Sequence, residues 1–147
     1  EDLNLSEQQL SHEAIFTFEE SSLEAIARTL TYINLKKCQV YEFSDLYRLE
    51  NLISVNLEDN QIEDFETATQ VLRFWSQLDS LRIKGNPIAE LKKCRDLMVM
   101  ASMSLTQLDG KNVTMREREY LYKLNQLKVK KSREDESKPH KENIPKR

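Results

Sequence analysis

Three observations predict an α/β solenoid: an eleven-residue pattern that recurs without gaps, helical spacing between its copies, and a change of pattern after the last one. The copies are Leu30-Thr-Tyr-Ile33-Asn-Leu35-Lys-Lys-Cys38-Gln-Val40, Leu52-Ile-Ser-Val55-Asn-Leu57-Glu-Asp-Asn60-Gln-Ile62 and Leu78-Asp-Ser-Leu81-Arg-Ile83-Lys-Gly-Asn86-Pro-Ile88. Each fits L-x-x-L-x-L-x-x-N/C-x-L. Their intervals of 22 and 26 residues fall within the period of about 20–29 that marks leucine-rich repeats. The expected architecture is therefore a leucine-rich-repeat right-handed solenoid with short parallel strands on the concave face, helices on the convex face and a helical C-terminal cap.

The elements follow in order. A weaker first copy places Leu3, Leu5, Gln8 and Leu10 where Ile33, Leu35, Cys38 and Val40 stand 30 residues later. Each short strand points alternate residues inward, and no repeat can bury its apolar edge without neighbours above and below. Asn60 and Asn86 are positioned to satisfy backbone groups where the chain leaves the strand, and Cys38 substitutes there as a small, weakly polar residue. Between strands, Ser22 to Thr29 and Glu66 to Gln77 show helical spacing through Leu23, Ile26 and Ala27 and through Val71, Leu72 and Trp75. On this pattern Trp75 is a core residue. After the last repeat come Cys94-Arg-Asp-Leu97, Leu105-x-x-Leu108-Asp109-Gly110 and a charged helix from Arg116 to Leu127. A helix and a short strand closed by the Asp109-Gly110 turn suit an end-piece, because one side of a terminal repeat must face water. The predicted domain spans 1–127, with repeats near 3–29, 30–51, 52–77 and 78–93 and a cap over 94–127. Residues 128–147 form a basic, largely disordered tail: Lys128 to Arg133 continue the cap helix, with fraying expected after about Lys130, and Glu134 to Arg147 are too polar and proline-punctuated to order themselves. No polar cap precedes Leu3, so further repeats are expected before Glu1.

Composition narrows the function. Only 2 glycines and 3 prolines occur in 147 residues, which disfavours glycine-rich nucleotide loops. No run approaches the roughly 18 apolar residues of a membrane-spanning helix. Cys38 and Cys94 lie in neither metal-binding nor disulfide spacing, and a reducing cytoplasm is the expected compartment. Residues 1–127 carry 14 basic against 21 acidic side chains, whereas 128–147 carry eight against four: an acidic body with a basic end. His12 and His140 are the only histidines, and no Walker, H-E-x-x-H, G-x-S-x-G or EF-hand motif is present. No catalytic residue, metal ligand or cofactor is assigned.

Gly85-Asn-Pro-Ile88, Arg95-Asp96, Leu105-x-x-Leu108-Asp109-Gly110 and Arg116-Glu-Arg118 resemble the C-terminal cap of small intracellular leucine-rich-repeat regulators, among them regulatory subunits of protein phosphatase 1. The resemblance implies a non-enzymatic binder of the phosphatase catalytic subunit, association with tubulin or microtubule-associated proteins, and a cytoplasmic, cytoskeletal location at a microtubule organising centre, centrosome or cilium. The chain departs from many phosphatase partners in lacking a basic-Val-x-Phe/Trp motif; Gln39-Val40-Tyr41-Glu42-Phe43 has the wrong spacing. A second reading is an adaptor in a nuclear ribonucleoprotein or histone-binding complex, which other short acidic proteins with this cap resemble.

The partner face follows from the alternation: Asp2, Asn4 and Ser6; Tyr32, Asn34 and Lys36; Ser54, Asn56 and Glu58; Ser80, Arg82 and Lys84 line the concave sheet. Tyr32 and Arg82 are the preferred anchors, being of types enriched at binding hot spots. Acidic Glu58, Asp59, Glu63, Asp64 and Glu66 suggest a patch for a basic partner. The basic tail suggests contact with an acidic surface, such as the tubulin exterior, phospholipid or nucleic acid. Because the body is acidic, direct nucleic-acid binding by it is not expected; no membrane partner is expected, and the protein is expected to be a monomer.

Overall fold

The computed structural model describes residues 1–8 and 17–137, in two compact units, Glu1–Thr114 and a second beginning at Met115. In the first unit β1 (Asp2–Asn4), β2 (Tyr32–Asn34), β3 (Ser54–Asn56) and β4 (Ser80–Arg82) pair in parallel and in chain order. Next, β5 (Gln107–Leu108) adds in parallel to β4, and β6 (Lys111–Asn112) turns back antiparallel. Leu3, Ile33, Val55, Leu81 and Leu108 stand in one register row. The weak first copy is thus a true rung, although its Leu10 and the neighbouring His12 lie outside the described residues.

All fifteen pattern positions of the three strong copies are buried, from Leu30 to Ile88. Each fully buried aliphatic side chain contributes about 1.5–3 kcal/mol, whereas a hydrogen bond nets about 1. Apolar burial therefore supplies the driving force, and polar contacts decide the register. Packed behind the sheet are α1 (Glu20–Ile26), a 3-10 turn at Ser44–Arg48, α2 (Phe65–Phe74), a 3-10 turn at Pro87–Glu90 and α3 (Cys94–Ala101). Helix α1 starts two residues before the expected Ser22 and stops at Ile26. Helix α2 ends before Trp75, whose backbone leaves the helical region at φ −82°, ψ 71°. That break lets the Trp75 ring sink fully into the core, where Nε1–H donates to the Leu46 carbonyl (2.9 Å) and the ring stacks on Phe43 at 5.8 Å. At the other end of α2, Asp64 accepts from the N–H groups of Glu66 and Thr67. The Thr67 hydroxyl and these N–H groups hold its carboxyl below the usual carboxylate range.

The turn leaving each strand is the most specified part of the repeat. Glu7, Lys37, Asp59 and Gly85 occupy equivalent places, all left-handed with φ of 59°, 54°, 55° and 79°. Their stacking is direct: N–H of Glu7 donates to the Lys36 carbonyl, that of Lys37 to Glu58 and that of Asp59 to Lys84, at 2.7, 3.1 and 2.9 Å. Only the fourth place is glycine. A Cβ on Gly85 would stand 2.1 Å from Asp59 Oδ1 and 3.1 Å from its Cα, and a positive φ also disfavours any side chain.

Beside this turn, Asn60 Oδ1 accepts from Cys38 N and Val40 N (2.9 and 3.1 Å) while Nδ2 donates to the carbonyls of Leu35 and Leu57 (2.8 and 2.9 Å). Asn86 repeats the arrangement one rung on, accepting from Ile62 N and donating to Leu57 O and Ile83 O. Cys38 performs the donor half: its thiol points at the Leu5 carbonyl, 2.8 Å away. Burial pushes this thiol's pKa up, so it remains a neutral donor.

The stack ends at the β5–β6 hairpin. Asp109 Oδ1 accepts from Ile83 N, where a further repeat would have offered a backbone carbonyl, and from Lys84 N, at 2.7 and 3.0 Å. Arg95 of α3 donates to the carbonyls of Leu108 and Asn112, tying the hairpin to that helix.

The second unit contains α4, Met115–Glu136. Leu121 is buried, while Tyr120, Tyr122, Leu127 and Val129 are exposed. The helix runs past the expected boundary at 127 and past Lys130. Lys, Arg and Glu are good helix formers, so too few apolar residues to build a core does not mean too few to continue a helix. Residues 138–147, with His140, lie outside the described residues.

Candidate functional site

The side chains that alternate with the buried row form the open face of the sheet. Register gives three lines across it. Asp2, Tyr32, Ser54, Ser80 and Gln107 make the first; Asn4, Asn34, Asn56 and Arg82 make the second. Ser6, Lys36, Glu58 and Lys84 follow two residues on in each repeat. All the residues read from the sequence as the partner face are thus on one surface, and the structure adds Gln107. That residue belongs to a strand outside the three strong copies, but Leu105-x-x-Leu108 repeats the spacing of Leu78-x-x-Leu81 and carried the signal.

The lines differ in what occupies their side chains. The asparagines of the second line fold back on their own strands: Asn4, Asn34 and Asn56 Oδ1 accept from the N–H of Ser6, Lys36 and Glu58 at 3.0, 3.1 and 3.0 Å. Half of each amide is therefore committed to shaping the turn. Arg82 breaks this ladder, because Asp109 has already taken the Lys84 N–H that an asparagine here would bind. Its guanidinium is free to reach Glu58, Nη1 to Oε1 3.5 Å, and Lys36 Nζ meets the other Glu58 oxygen at 3.5 Å. A charge ladder Lys36–Glu58–Arg82 thereby crosses three repeats. The Glu58 side chain is only 17% exposed, against 54% for Arg82, so the cation is the part offered to solvent.

The first line presents the half-buried Tyr32 beside two small residues, Ser54 and Ser80. A tyrosine ring next to serines leaves a low floor beside a raised aromatic edge, an arrangement that admits a partner side chain against the ring.

Three of the acidic residues read around the third repeat have defined partners. Glu58 sits in the charge ladder, Asp59 reaches Lys36 at 4.0 Å from the turn, and Asp64 caps α2. Glu58 and Asp59 thus share one cation, Lys36, while Asp64 is engaged in capping a helix.

The helical side carries a second exposed group that sequence reading missed. Tyr47 and Phe74 meet at 5.5 Å, and Arg48 lies over Tyr47 while pairing with Glu20 at 2.8 Å and Glu24 at 3.7 Å. Nothing in the repeat pattern distinguishes these positions. Among the described residues no group of three or more His, Cys, Asp or Glu side chains is arranged to hold a metal ion, and no helix is long and apolar enough to cross a membrane. Cys94 is buried, and burial, followed by the nearby Asp109 charge, pushes its thiol pKa up.

No protein-family model matches the chain. Solved structures do. The Chaetomium Mex67:Mtr2 subunits superpose with a TM-score of 0.61 at 19% identity, covering 82% of this chain and 88% of that one. The Mex67 leucine-rich-repeat domain from Chaetomium thermophilum gives 0.60 at 19% identity over 78% and 85%. A chain of the Drosophila melanogaster SNF/U2A′ complex gives 0.55 at 17% identity over 83% and 79%. At these identities the likeness establishes the leucine-rich-repeat fold, in agreement with the strands, turns and helical cap described above.

Proposed function

We propose that this protein is a non-catalytic interaction module whose open sheet face grips a protein partner, with Tyr32 and Arg82 as anchors. The observation that carries the reading is the register that lines up Tyr32, Ser54, Ser80 and Gln107 beside the charge ladder ending at Arg82. These side chains lie on paired strands, so little ordering cost is added on binding. Tyrosine and arginine are also the types that dominate interface energetics.

The partner we propose is the catalytic subunit of protein phosphatase 1, with this chain acting as a regulatory or targeting subunit at microtubules, a centrosome or a cilium. Support comes from the cap motif and from the repeat spacing, Asn60 to Asn86 and Gly85 to Gly110, which most resemble the testis leucine-rich repeat protein. A second reading is an adaptor within a ribonucleoprotein, favoured by the structural likeness to a chain of the SNF/U2A′ complex.

Titration calorimetry with purified phosphatase catalytic subunit tests the first reading. Tyr32→Ala and Arg82→Ala are each expected to weaken binding about 30-fold, as hot-spot truncations do. Failure of the unmodified chain to bind the phosphatase removes that partner; binding that neither substitution disturbs removes the face.

A further inference from the structure

We infer that the stretch from Lys123 to Arg133 of α4 is a binding element for duplex DNA, acting on the phosphate backbone without base specificity. From Tyr120 to Arg133 the helix carries Lys123, Lys128, Lys130, Lys131 and Arg133 and no acidic residue, and Glu134, Asp135 and Glu136 then close it. All five are exposed. The acidic balance that argued against nucleic acid belongs to the rest of the chain; α4 lies in a separate compact unit with the opposite balance.

The distribution of charge around the helix selects the occupant. At about 100° per residue, taking Lys123 as zero, the other four cations point near 140°, 340°, 80° and 280°. Cations on all sides of the axis, within a rise of about 15 Å, match walls of phosphate on both flanks. The major groove of B-form DNA, about 12 Å wide, admits a helix of that diameter. A flat anionic surface would engage one side and leave the opposite cations facing solvent. A bilayer also needs an apolar stripe. Here Lys128 and Lys131 fall four residues after Leu124 and Leu127, on the line an apolar stripe would follow, while the exposed Val129 lies elsewhere on the circumference. Tyr120 and Tyr122, both exposed, add aromatic surface at the start of the basic segment.

The groove argument commits to B-form DNA, because the major groove of an A-form RNA duplex is too narrow to admit the helix. Fluorescence anisotropy is measured with the full chain and labelled 20-base-pair DNA and RNA duplexes between 50 and 200 mM KCl. The expected result for the DNA duplex is a Kd of about 1–100 µM and a slope of log K against log salt near −4, since about 0.9 is lost per phosphate neutralised. Tighter binding of the RNA duplex overturns the groove assignment. The combined substitution Lys128→Gln, Lys130→Gln, Lys131→Gln and Arg133→Gln is expected to weaken binding at least about 30-fold at 50 mM salt and to flatten the slope to about −1, with helix content by circular dichroism unchanged because glutamine is also a good helix former. In the opposite direction, Glu134→Gln with Glu136→Gln is expected to tighten binding about three-fold. The inference is overturned if neither duplex binds, if the slope is shallower than about −2, if the four-glutamine chain binds undiminished, or if poly-glutamate or phosphatidylserine vesicles are bound as well as the duplexes.

Discussion

The two faces of the same short strands are built to opposite standards. On the buried face, position after position is occupied: Ile33, Val55 and Leu81 fill the interior, and beyond them Asn60 and Asn86 bind backbone groups of two successive repeats. On the open face the first line has no such obligations, and residues differ from rung to rung: Asp2, Tyr32, Ser54, Ser80, Gln107. The difference teaches where evolution of a partner site is free in a stacked fold. A buried polar group must be matched or it costs its full desolvation, whereas a side chain facing water is constrained only by what it binds.

Substitutions that cross from one face to the other put this contrast to the test. The largest effect is expected for Asn60→Leu, which keeps the volume but strands the N–H groups of Cys38 and Val40 and the carbonyls of Leu35 and Leu57. A loss of about 4 kcal/mol in urea unfolding is expected, from several buried groups at about 1–3 each with partial relaxation. A loss below about 1 would mean that the asparagine ladder does not decide stability. Gly85→Ala comes next, at about 2 kcal/mol, from the left-handed backbone and the approach of Asp59. Because the tightest approach is to the Asp59 carboxylate, adding Asp59→Gly is expected to recover part of the loss. Additivity of the two changes would contradict the contact. The smallest effect is expected for Tyr32→Ala, whose thermal midpoint should match the parent, within about 0.5 kcal/mol. A large drop there would show the open face to be structural after all and would sharpen the comparison against the proposed site.

Much of the architecture was legible because one constraint was written three times. The spacing L-x-x-L-x-L-x-x-N/C-x-L placed β2, β3 and β4 and gave Cys38 its structural role, and the helical spacing between copies identified Trp75 as core. Even the weak copy around Leu3 held, since Leu3 pairs in register with Ile33 across a 30-residue interval. Helix ends were less legible. Trp75 has the spacing of a helical residue but closes α2 from outside it, because its ring is worth more in the core than one more turn of helix. The length of α4 was misjudged for a different reason: composition was asked to report order, while helix propensity operates without a core.

By itself, then, the order of amino acids determined the repeat, its period and the residues that face inward, because burial of an apolar row recurs at fixed intervals and needs no knowledge of distant contacts. Tertiary structure alone decided which outward residues act together. Glu58 meets Lys36 and Arg82 across 22 and 24 residues, and Asp109 closes a ladder begun at Ile83. Those pairings exist only once the rungs are stacked in one register, since interactions of a few ångströms between residues far apart in the chain are set by the stacking and not by any local pattern.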